Sequence, residues 1–126
     1  MDSREKRDEL ARRFVRYAAR ILHLATALPK TEEGMHVRRQ ILRCGTAPGA
    51  NYREACGAES KADFIHKLRI ALKELYETDY WLCVIVESGM LPKAKLQDIL
   101  KETDELIAIL VQSIMTARRN ARHAKA

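Results

Sequence analysis

The sequence is poor in residues that break helices, with five glycines and three prolines among 126 residues. Hydrophobic residues make up 47% and charged residues 32%, a balance that excludes an intrinsically disordered chain and favours an ordered, helix-rich one. It also lacks an apolar run of the roughly 20 residues that a membrane helix needs, since the longest, YWLCVIV, is far shorter. The charged start, MDSREKRDEL, has no apolar stretch typical of a secretory signal. We therefore expect one cytoplasmic domain over residues 1–126, with no membrane partner.

Patterns typical of catalytic or metal sites are also missing. The four histidines lie in different segments, and no HExxH motif, glycine-rich phosphate loop or Cys/His nucleophile pair occurs. An odd number of cysteines at spacings that fit neither CxxC nor a zinc pattern suggests reduced core thiols: Cys44, Cys56 and Cys83. We expect no enzyme activity, no metal and no cofactor.

Apolar residues recur at helical spacing in four segments. In the first, from about Ser3 to Leu28, spacings of four and three form a bundle seam: Leu10, Phe14, Tyr17, Ile21, Leu24 and Leu28. Ser3 is the expected N-cap. A second apolar set widens this face to about half the helix circumference, more than one core contact needs: Ala11, Val15, Ala18, Leu22 and Ala25.

The third and fourth segments complete the pattern. The third begins at Ser60, whose SKAD start resembles a capping box, and the fourth follows Pro92, which suits a first helical turn. The third is apolar nearly all round, because Ile70, Trp81 and Val84 lie away from its seam, and such a helix is expected to be buried all round. Four helices with short connections predict an all-α, up-down-up-down four-helix bundle.

Three helix breakers fall within five residues of the second segment, in RCGTAPGANYREAC. A proline inside a helix loses a hydrogen bond and clashes with the preceding turn, at a cost of about 3 kcal/mol. A loop here would nevertheless leave a second helix much shorter than its neighbours, so we expect one helix kinked near Pro48. In that helix Thr46 would bond back to the carbonyl of Leu42. Gly45 and Gly49 would let another backbone come close.

The stretch APGANYREACGAESKADFIHKLRIALKELYETDYWL, preceded by LPKTEEG and RRQILRCGTA, carries a resemblance. It resembles the four-helix-bundle family of the intervening-sequence proteins of bacterial large-subunit ribosomal RNA genes. The accessory variability proteins of diversity-generating retroelements belong to the same superfamily. The resemblance runs from Phe14 into the fourth helix and implies a homopentameric barrel whose second helix passes through Pro48. It also implies nucleic acid, or a protein such as a reverse transcriptase, as a partner.

Seven residues of this region form the structural signature: Pro48, Asn51, Glu54, Gly57, Lys73, Glu74 and Glu77. Many family members have NIAEGxGR where this chain has NYREACGA, so only part of that motif is present. Asn51 and Glu54 share a helix face, and we favour a role in satisfying backbone groups near Pro48 or capping a neighbouring helix over ligand binding. Glu54, Glu74 and Glu77 could converge as paired carboxylates, but the Glu-x-x-His ligand motif is missing. We expect Lys73 to pair with Glu77 one turn away.

The surplus apolar faces of the first and third helices predict self-association, because one bundle has no use for them. The expected interface residues are Ile70, Trp81 and Val84, in a homopentamer by resemblance. A monomer with a thick core is the alternative.

The net charge of +6 is unevenly placed. The first 53 residues hold 12 Lys or Arg against six Asp or Glu, residues 54–115 hold seven against 11, and a basic tail, 117–126, is expected to fray from the fourth helix. Arginines of the first and second helices suit contacts to a phosphate backbone: Arg12, Arg13, Arg16, Arg20, Arg38, Arg39, Arg43 and Arg53. No aromatic-rich stacking platform is evident, so we predict RNA or DNA binding with little sequence preference. A protein–protein scaffold with a merely solvated basic surface is the alternative left open.

Overall fold

The computed structural model describes residues 1–125. Most of these residues lie in four helices. They are α1 (Ser3–Ala27), α2 (Glu32–Cys56), α3 (Lys61–Ser88) and α4 (Lys93–Lys125), and those residues contain no strand. Consecutive helices run antiparallel, and α4 returns to lie beside α1, where Tyr17 meets Thr103. α1 and α3 each lie beside α2 and α4, and the backbones of α1 and α3 do not approach one another closely within the described residues. The predicted all-α fold with four helices is confirmed.

Short polar residues begin the first three helices. Asp2, and not Ser3, caps α1, because its carboxylate accepts a hydrogen bond from the Glu5 amide at 2.8 Å. Thr31 caps α2 through the Gly34 amide. Ser60 caps α3 through the Asp63 amide, as the sequence predicted. A one-residue error at the first cap is within the usual uncertainty of helix ends. At the other end of α3, Gly89 has φ +76°, a left-handed conformation that favours glycine.

The second helix runs without interruption through Pro48. Thr46 donates its hydroxyl to the Leu42 carbonyl at 2.6 Å, which confirms the predicted back-bond. Asn51 donates its side-chain amide to the Ala47 carbonyl at 3.1 Å, so this residue also serves the backbone near the proline. The continuous helix includes NYREAC and ends at Gly57. The prediction of one helix, and not two joined by a loop, is confirmed.

The two glycines beside Pro48 explain why α1 and α2 lie so close together. A Cβ atom at Gly45 would stand 2.8 Å from Cγ2 of Ile21, and one at Gly49 would stand 2.9 Å from Cβ of Phe14. Distances under 3 Å are shorter than carbon atoms tolerate, so only glycine fits without movement. The predicted close approach is therefore present, and its partner is α1.

The predicted seam residues form the core. The fully buried side chains come from all four helices and include Phe14, Tyr17, Ile21, Ile41, Leu68, Leu75, Leu82, Leu106 and Leu110. The helix periodicity therefore located the buried faces correctly, including that of α4.

Two expectations about the chain are wrong. The basic tail does not fray, because α4 continues as a helix to Lys125; Ala126 lies outside the described residues. Only Cys44 is a core thiol, whereas Cys56 and Cys83 are exposed. Cys56 sits in the last turn of α2 and Cys83 on the outer side of α3, where no other helix covers them. α3 is therefore not buried all round within this protomer.

Candidate nucleic-acid interface and assembly surfaces

The arginines of α1 do not form one free row. Arg12 and Arg16 both bond to Glu9, at 3.0 and 3.3 Å, and these two cations hold the pKa of Glu9 below its ordinary value. Arg20 makes no ion pair with any described residue and lines a groove of about 290 Å³ between α1 and α4. The row is therefore only partly available to an anion.

Arg13, which the sequence groups with the arginines suited to phosphate contacts, lies between two helices. Its guanidinium faces α4 and makes a bidentate contact with Glu102, at 3.1 Å from Nε and 2.6 Å from Nη2. Both side chains are largely covered, with 27% and 18% of their surfaces exposed. The contact lowers the pKa of Glu102 and raises that of Arg13. Arg13 is thus a link between two helices.

The arginines of α2 also fall into two groups, one that links two helices and one without ion-pair partners. Arg43 bonds to Glu74 and Glu77 of α3, so it joins two helices. Arg38, Arg39 and Arg53 make no ion pair with any described residue; Arg38 is half-buried and the other two are exposed. Arg53 lines a groove of about 520 Å³ between α1 and α2, together with Arg4 and Arg7. These three cations share that groove with one acid, Asp8.

A further basic stripe lies near the end of α4, where the sequence placed a frayed tail. Arg118, Arg119 and Arg122 share one side of the helix with Gln112 and Met115. All three arginines are exposed, and none has an ion-pair partner among residues 1–125. Helical order fixes their relative positions, so they form a surface and not a flexible arm.

The signature residues act as links between α2 and α3. Glu54 accepts from Lys67 at 2.9 Å, which joins the end of α2 to the start of α3. Glu77 pairs with Arg43 and also accepts from the Trp81 indole N–H at 3.2 Å. The predicted Lys73–Glu77 pair is absent among the ion pairs of the described residues, because Glu77 lies toward α2 while Lys73 is exposed. Glu74 and Glu77 therefore share Arg43, whereas Glu54 pairs separately with Lys67.

Metal ligation finds no support in this arrangement. Within residues 1–125 no group of three or more His, Cys, Asp or Glu side chains is placed to hold a metal ion. In the same part of the chain no helix combines the length and the apolar character that crossing a bilayer requires.

The predicted interface residues lie on the α2 side of α3 and are half-exposed: Ile70, Trp81 and Val84. Trp81 is not directed away from the bundle, since its ring meets the edge of His36 of α2 at a centroid distance of 5.8 Å. With Val37 and Met90, Trp81 and Val84 line a groove of about 600 Å³ between α2 and α3. The same groove is also lined by Glu32, Glu33, His36 and Arg39, so its apolar side chains lie beside charged and polar ones.

The widened face of α1 is only partly used within the protomer. Ala25 is buried in the core, whereas Val15 and Leu22 keep 59% and 51% of their surface exposed, with Ala11 and Ala18 half-buried beside them. This set, which we call the α1 stripe, lies on the side of α1 away from α4. The prediction that one bundle does not cover it is confirmed.

Sequence reasoning missed an exposed aromatic pair on α3. Tyr76 and Tyr80 keep 53% and 59% of their surface exposed. These two rings form an exposed aromatic surface, contrary to the expectation that the chain has none. Their spacing of four residues, outside the seam positions and two turns after Arg69 and Lys73 respectively, is the signal that could have revealed them.

Comparisons with known proteins match most of the four-helix bundle. The family model described as 23S rRNA-intervening sequence protein matches residues 7–112. A crystal structure of a protein with unknown function from the S23 ribosomal protein family, from Bacteroides thetaiotaomicron VPI-5482, is similar with a TM-score of 0.79. The two chains are 37% identical, over 83% of this chain and 97% of the other. No curated protein matches. The arginines after residue 112 lie outside the region that the family model matches.

Proposed function

Because the chain belongs to the family of 23S rRNA-intervening sequence proteins, we propose that it is a non-enzymatic, oligomeric helical module that binds RNA or DNA through its basic surfaces. The observation that carries this proposal is that most of its arginines have no carboxylate partner within the described residues. Ten of the 14 make no ion pair with another described residue: Arg4, Arg7, Arg20, Arg38, Arg39, Arg53, Arg69, Arg118, Arg119 and Arg122. A guanidinium without a carboxylate partner can meet a phosphate without giving up an existing contact.

The location of these arginines favours contact with a backbone over recognition of a sequence. They occur on all four helices and do not converge on one pocket, which suits the repeating charge of a nucleic acid. Arg13 and Arg43 contribute less, because each already pairs with carboxylates of a neighbouring helix. Arg12 and Arg16 contribute less, since Glu9 neutralises part of their charge.

The test compares two double variants of equal charge. Arg118→Gln/Arg119→Gln removes two unpaired, exposed cations that line neither proposed ring surface, and Arg12→Gln/Arg16→Gln removes two exposed cations that share Glu9. We expect the first to weaken binding evenly across RNA and DNA sequences. It should also lower the slope of log K against log salt by about 0.7 to 0.9 for each phosphate that is no longer neutralised. The control should show a smaller change.

The opposite results separate the alternatives. Equal losses in the two variants would mean that only the net charge matters. If the wild type binds no single- or double-stranded probe at low salt, the basic surface is ordinary solvation. A protein–protein scaffold then becomes the better proposal.

For the assembly we propose a homopentamer, the state implied by the family resemblance. Two surfaces of the protomer that carry apolar side chains support a ring: the α1 stripe, and the groove between α2 and α3 that Trp81 and Val84 line. The backbones of α1 and α3 do not approach one another closely within the described residues, so the two surfaces are different and lie apart. Contact between unlike surfaces joins protomers head to tail, and such a contact produces a closed ring when the rotation is right.

Leu22→Glu tests the ring. A buried carboxylate without a partner is costly, so this variant should dissociate the oligomer. Ala19→Glu is the matched control, since Ala19 is exposed on the same helix outside the stripe. Light scattering should give about five times 14.4 kDa for the wild type and the control, and the protomer mass for Leu22→Glu. A wild-type mass of 14.4 kDa at micromolar concentration would exclude the ring.

A further inference from the structure

A row of basic and aromatic side chains runs along the outer face of α3. Arg69, Lys73, Tyr76 and Tyr80 are spaced by four, three and four residues, which places them on one side of a helix. All four are exposed, and neither cation has an ion-pair partner within residues 1–125. We call this set the Arg69–Tyr80 row. It lies beside the half-exposed residues of the proposed ring contact and does not include them.

The ring of Tyr80 is held in place by a chain of contacts. It meets Trp81 edge to face, with centroids 5.1 Å apart and planes at 78°. Trp81 is fixed in turn by its hydrogen bond to Glu77, and Glu77 by its ion pair with Arg43. A ring that is already ordered loses less conformational freedom when a ligand stacks on it. Arg43, Glu77 and Trp81 therefore act as positioning residues for Tyr80.

We propose that the Arg69–Tyr80 row binds unpaired nucleotides of a single strand, an inference that rests on the nucleic-acid binding proposed above. Tyr76 and Tyr80 stack on bases, while Arg69 and Lys73 contact phosphates one turn away. The two tyrosines are about 6 Å apart along the helix axis, so a strand that follows the helix meets both rings. Exposed aromatic rings interleaved with cations are the usual means of holding single strands.

The composition of the row favours a single strand over its two competitors. In a duplex the faces of the bases are covered by their neighbours, so tyrosines on a convex helix surface have no base to stack on. A second copy of this chain would have to bury Arg69 and Lys73, whereas charged residues are depleted from the centre of protein interfaces. Both cations and both rings find a partner only in an unpaired strand.

The test uses paired variants and two labelled probes, an unstructured single strand of about 16 nucleotides and a duplex of the same length. Tyr76→Ala/Tyr80→Ala should weaken binding of the single strand roughly five- to a hundredfold and leave the duplex within about twofold. The salt slope should not change, because the variant keeps every cation that meets a phosphate. Tyr76→Phe/Tyr80→Phe, which keeps both rings, should bind as the wild type does. Circular dichroism checks that both pairs of exposed substitutions leave the helices intact.

The outcomes distinguish this inference from the proposed function. If the wild type binds single strands and the alanine pair binds them equally well, the row is not the site, although nucleic-acid binding stands. If the alanine pair instead lowers the mass of the oligomer, the row is a contact between copies and the inference is overturned. If the wild type binds neither probe, both proposals are wrong.

Discussion

α1 packs against its two neighbours in different ways. Its contact with α2 is close and apolar, with Ile21 lying on Gly45 and Phe14 on Gly49. Its contact with α4 is wider, with few close approaches of the two backbones. Polar groups span that wider space, namely the Arg13–Glu102 pair and the hydrogen bond between Tyr17 and Thr103.

Grooves border both contacts, and the α1–α2 contact has one of about 520 Å³ lined by Arg4, Arg7 and Arg53. Beside α4, the seam has a groove on either side of the polar links, one of about 340 Å³ that includes Leu10 and Ile109 and one of about 290 Å³ that includes Leu24 and Leu96. Glycine lets two backbones approach closely, whereas long side chains keep backbones apart. The buried polar atoms of those side chains then need hydrogen-bond partners. The specificity of the α1–α2 contact therefore comes from shape, and that of the α1–α4 contact from hydrogen bonds.

The largest expected effect comes from filling the close contact. Gly45→Val places a branched side chain where even one Cβ atom would be 2.8 Å from Ile21, and Ile21 is fully buried. We expect a loss of about 2 kcal/mol or more in the free energy of unfolding, the usual cost of overpacking a core. Urea denaturation with a two-state fit measures it.

Ala50→Val is the control for that substitution, since Ala50 is exposed on the same helix. It changes helix propensity alone and should cost less than about 0.7 kcal/mol. Equal losses in the two variants would show that the overlap with Ile21 relaxes freely, and the α1–α2 contact would then not depend on shape.

A smaller effect is expected at the buried hydrogen bond of the wider contact. Thr103 already donates its single hydroxyl proton to the Ile99 carbonyl at 2.7 Å, so Tyr17 must be the donor in the 2.7 Å contact between their hydroxyls. Thr103→Val leaves the buried tyrosine hydroxyl without its acceptor and should cost about 1 to 3 kcal/mol. Tyr17→Phe removes the donor itself and should cost about 1 kcal/mol.

The double variant sharpens this expectation. When both hydroxyls are gone, no unsatisfied donor remains, so Tyr17→Phe/Thr103→Val should cost less than the sum of the single variants. Thermal unfolding of the four proteins completes the cycle. Additive losses would mean that the two hydroxyls do not depend on one another.

The close contact between α1 and α2 could be predicted from the sequence, whereas much of the wider contact between α1 and α4 could not. Glycines that flank a proline within an apolar helical pattern indicate a close neighbour, and the buried positions of α1 follow from spacing alone. The direction of Arg13 is different, because it lies at the edge of the apolar face. Whether an edge residue meets solvent or a neighbouring helix depends on where that helix packs, which periodicity within α1 does not determine.

The dependence on how neighbouring helices pack also explains the two wrong expectations about α3. Lys73 and Glu77 are spaced for a pair within one helix, yet Glu77 turns to Arg43 on another, because packing of α2 on α3 brings a bidentate donor within reach. Tyr76 and Tyr80 lie outside the seam, and their exposure depends on how α2 and α4 flank α3. Seams and caps are local properties of a sequence. Charge partners and exposed faces are properties of the assembled bundle.

The smallest expected effect concerns the ion pair of the wider contact, and it depends on pH. Arg13 holds the pKa of Glu102 below its ordinary value of 4.5, so the folded state binds a proton at this site less readily than the unfolded state. The pair therefore stabilises the fold above pH 4.5, and that contribution is lost as the pH falls through the lowered pKa. Burial raises the pKa of Asp79, which acts in the opposite sense, but it does so equally in the wild type and in a Glu102 variant.

Glu102→Gln isolates this contribution. It should cost about 1 kcal/mol near neutral pH, and the difference from the wild type should shrink as the pH falls through the lowered pKa of Glu102 and the wild-type carboxyl takes up its proton. Glu105→Gln is the control, because Glu105 meets Arg13 only at 3.5 Å and is 53% exposed, so its loss should be smaller. Urea midpoints at several pH values give both differences. If the Glu102→Gln difference stayed constant from neutral to acid pH, the pair would act through packing of its side chains. The α1–α4 contact would then resemble the α1–α2 contact more closely than its polar geometry suggests.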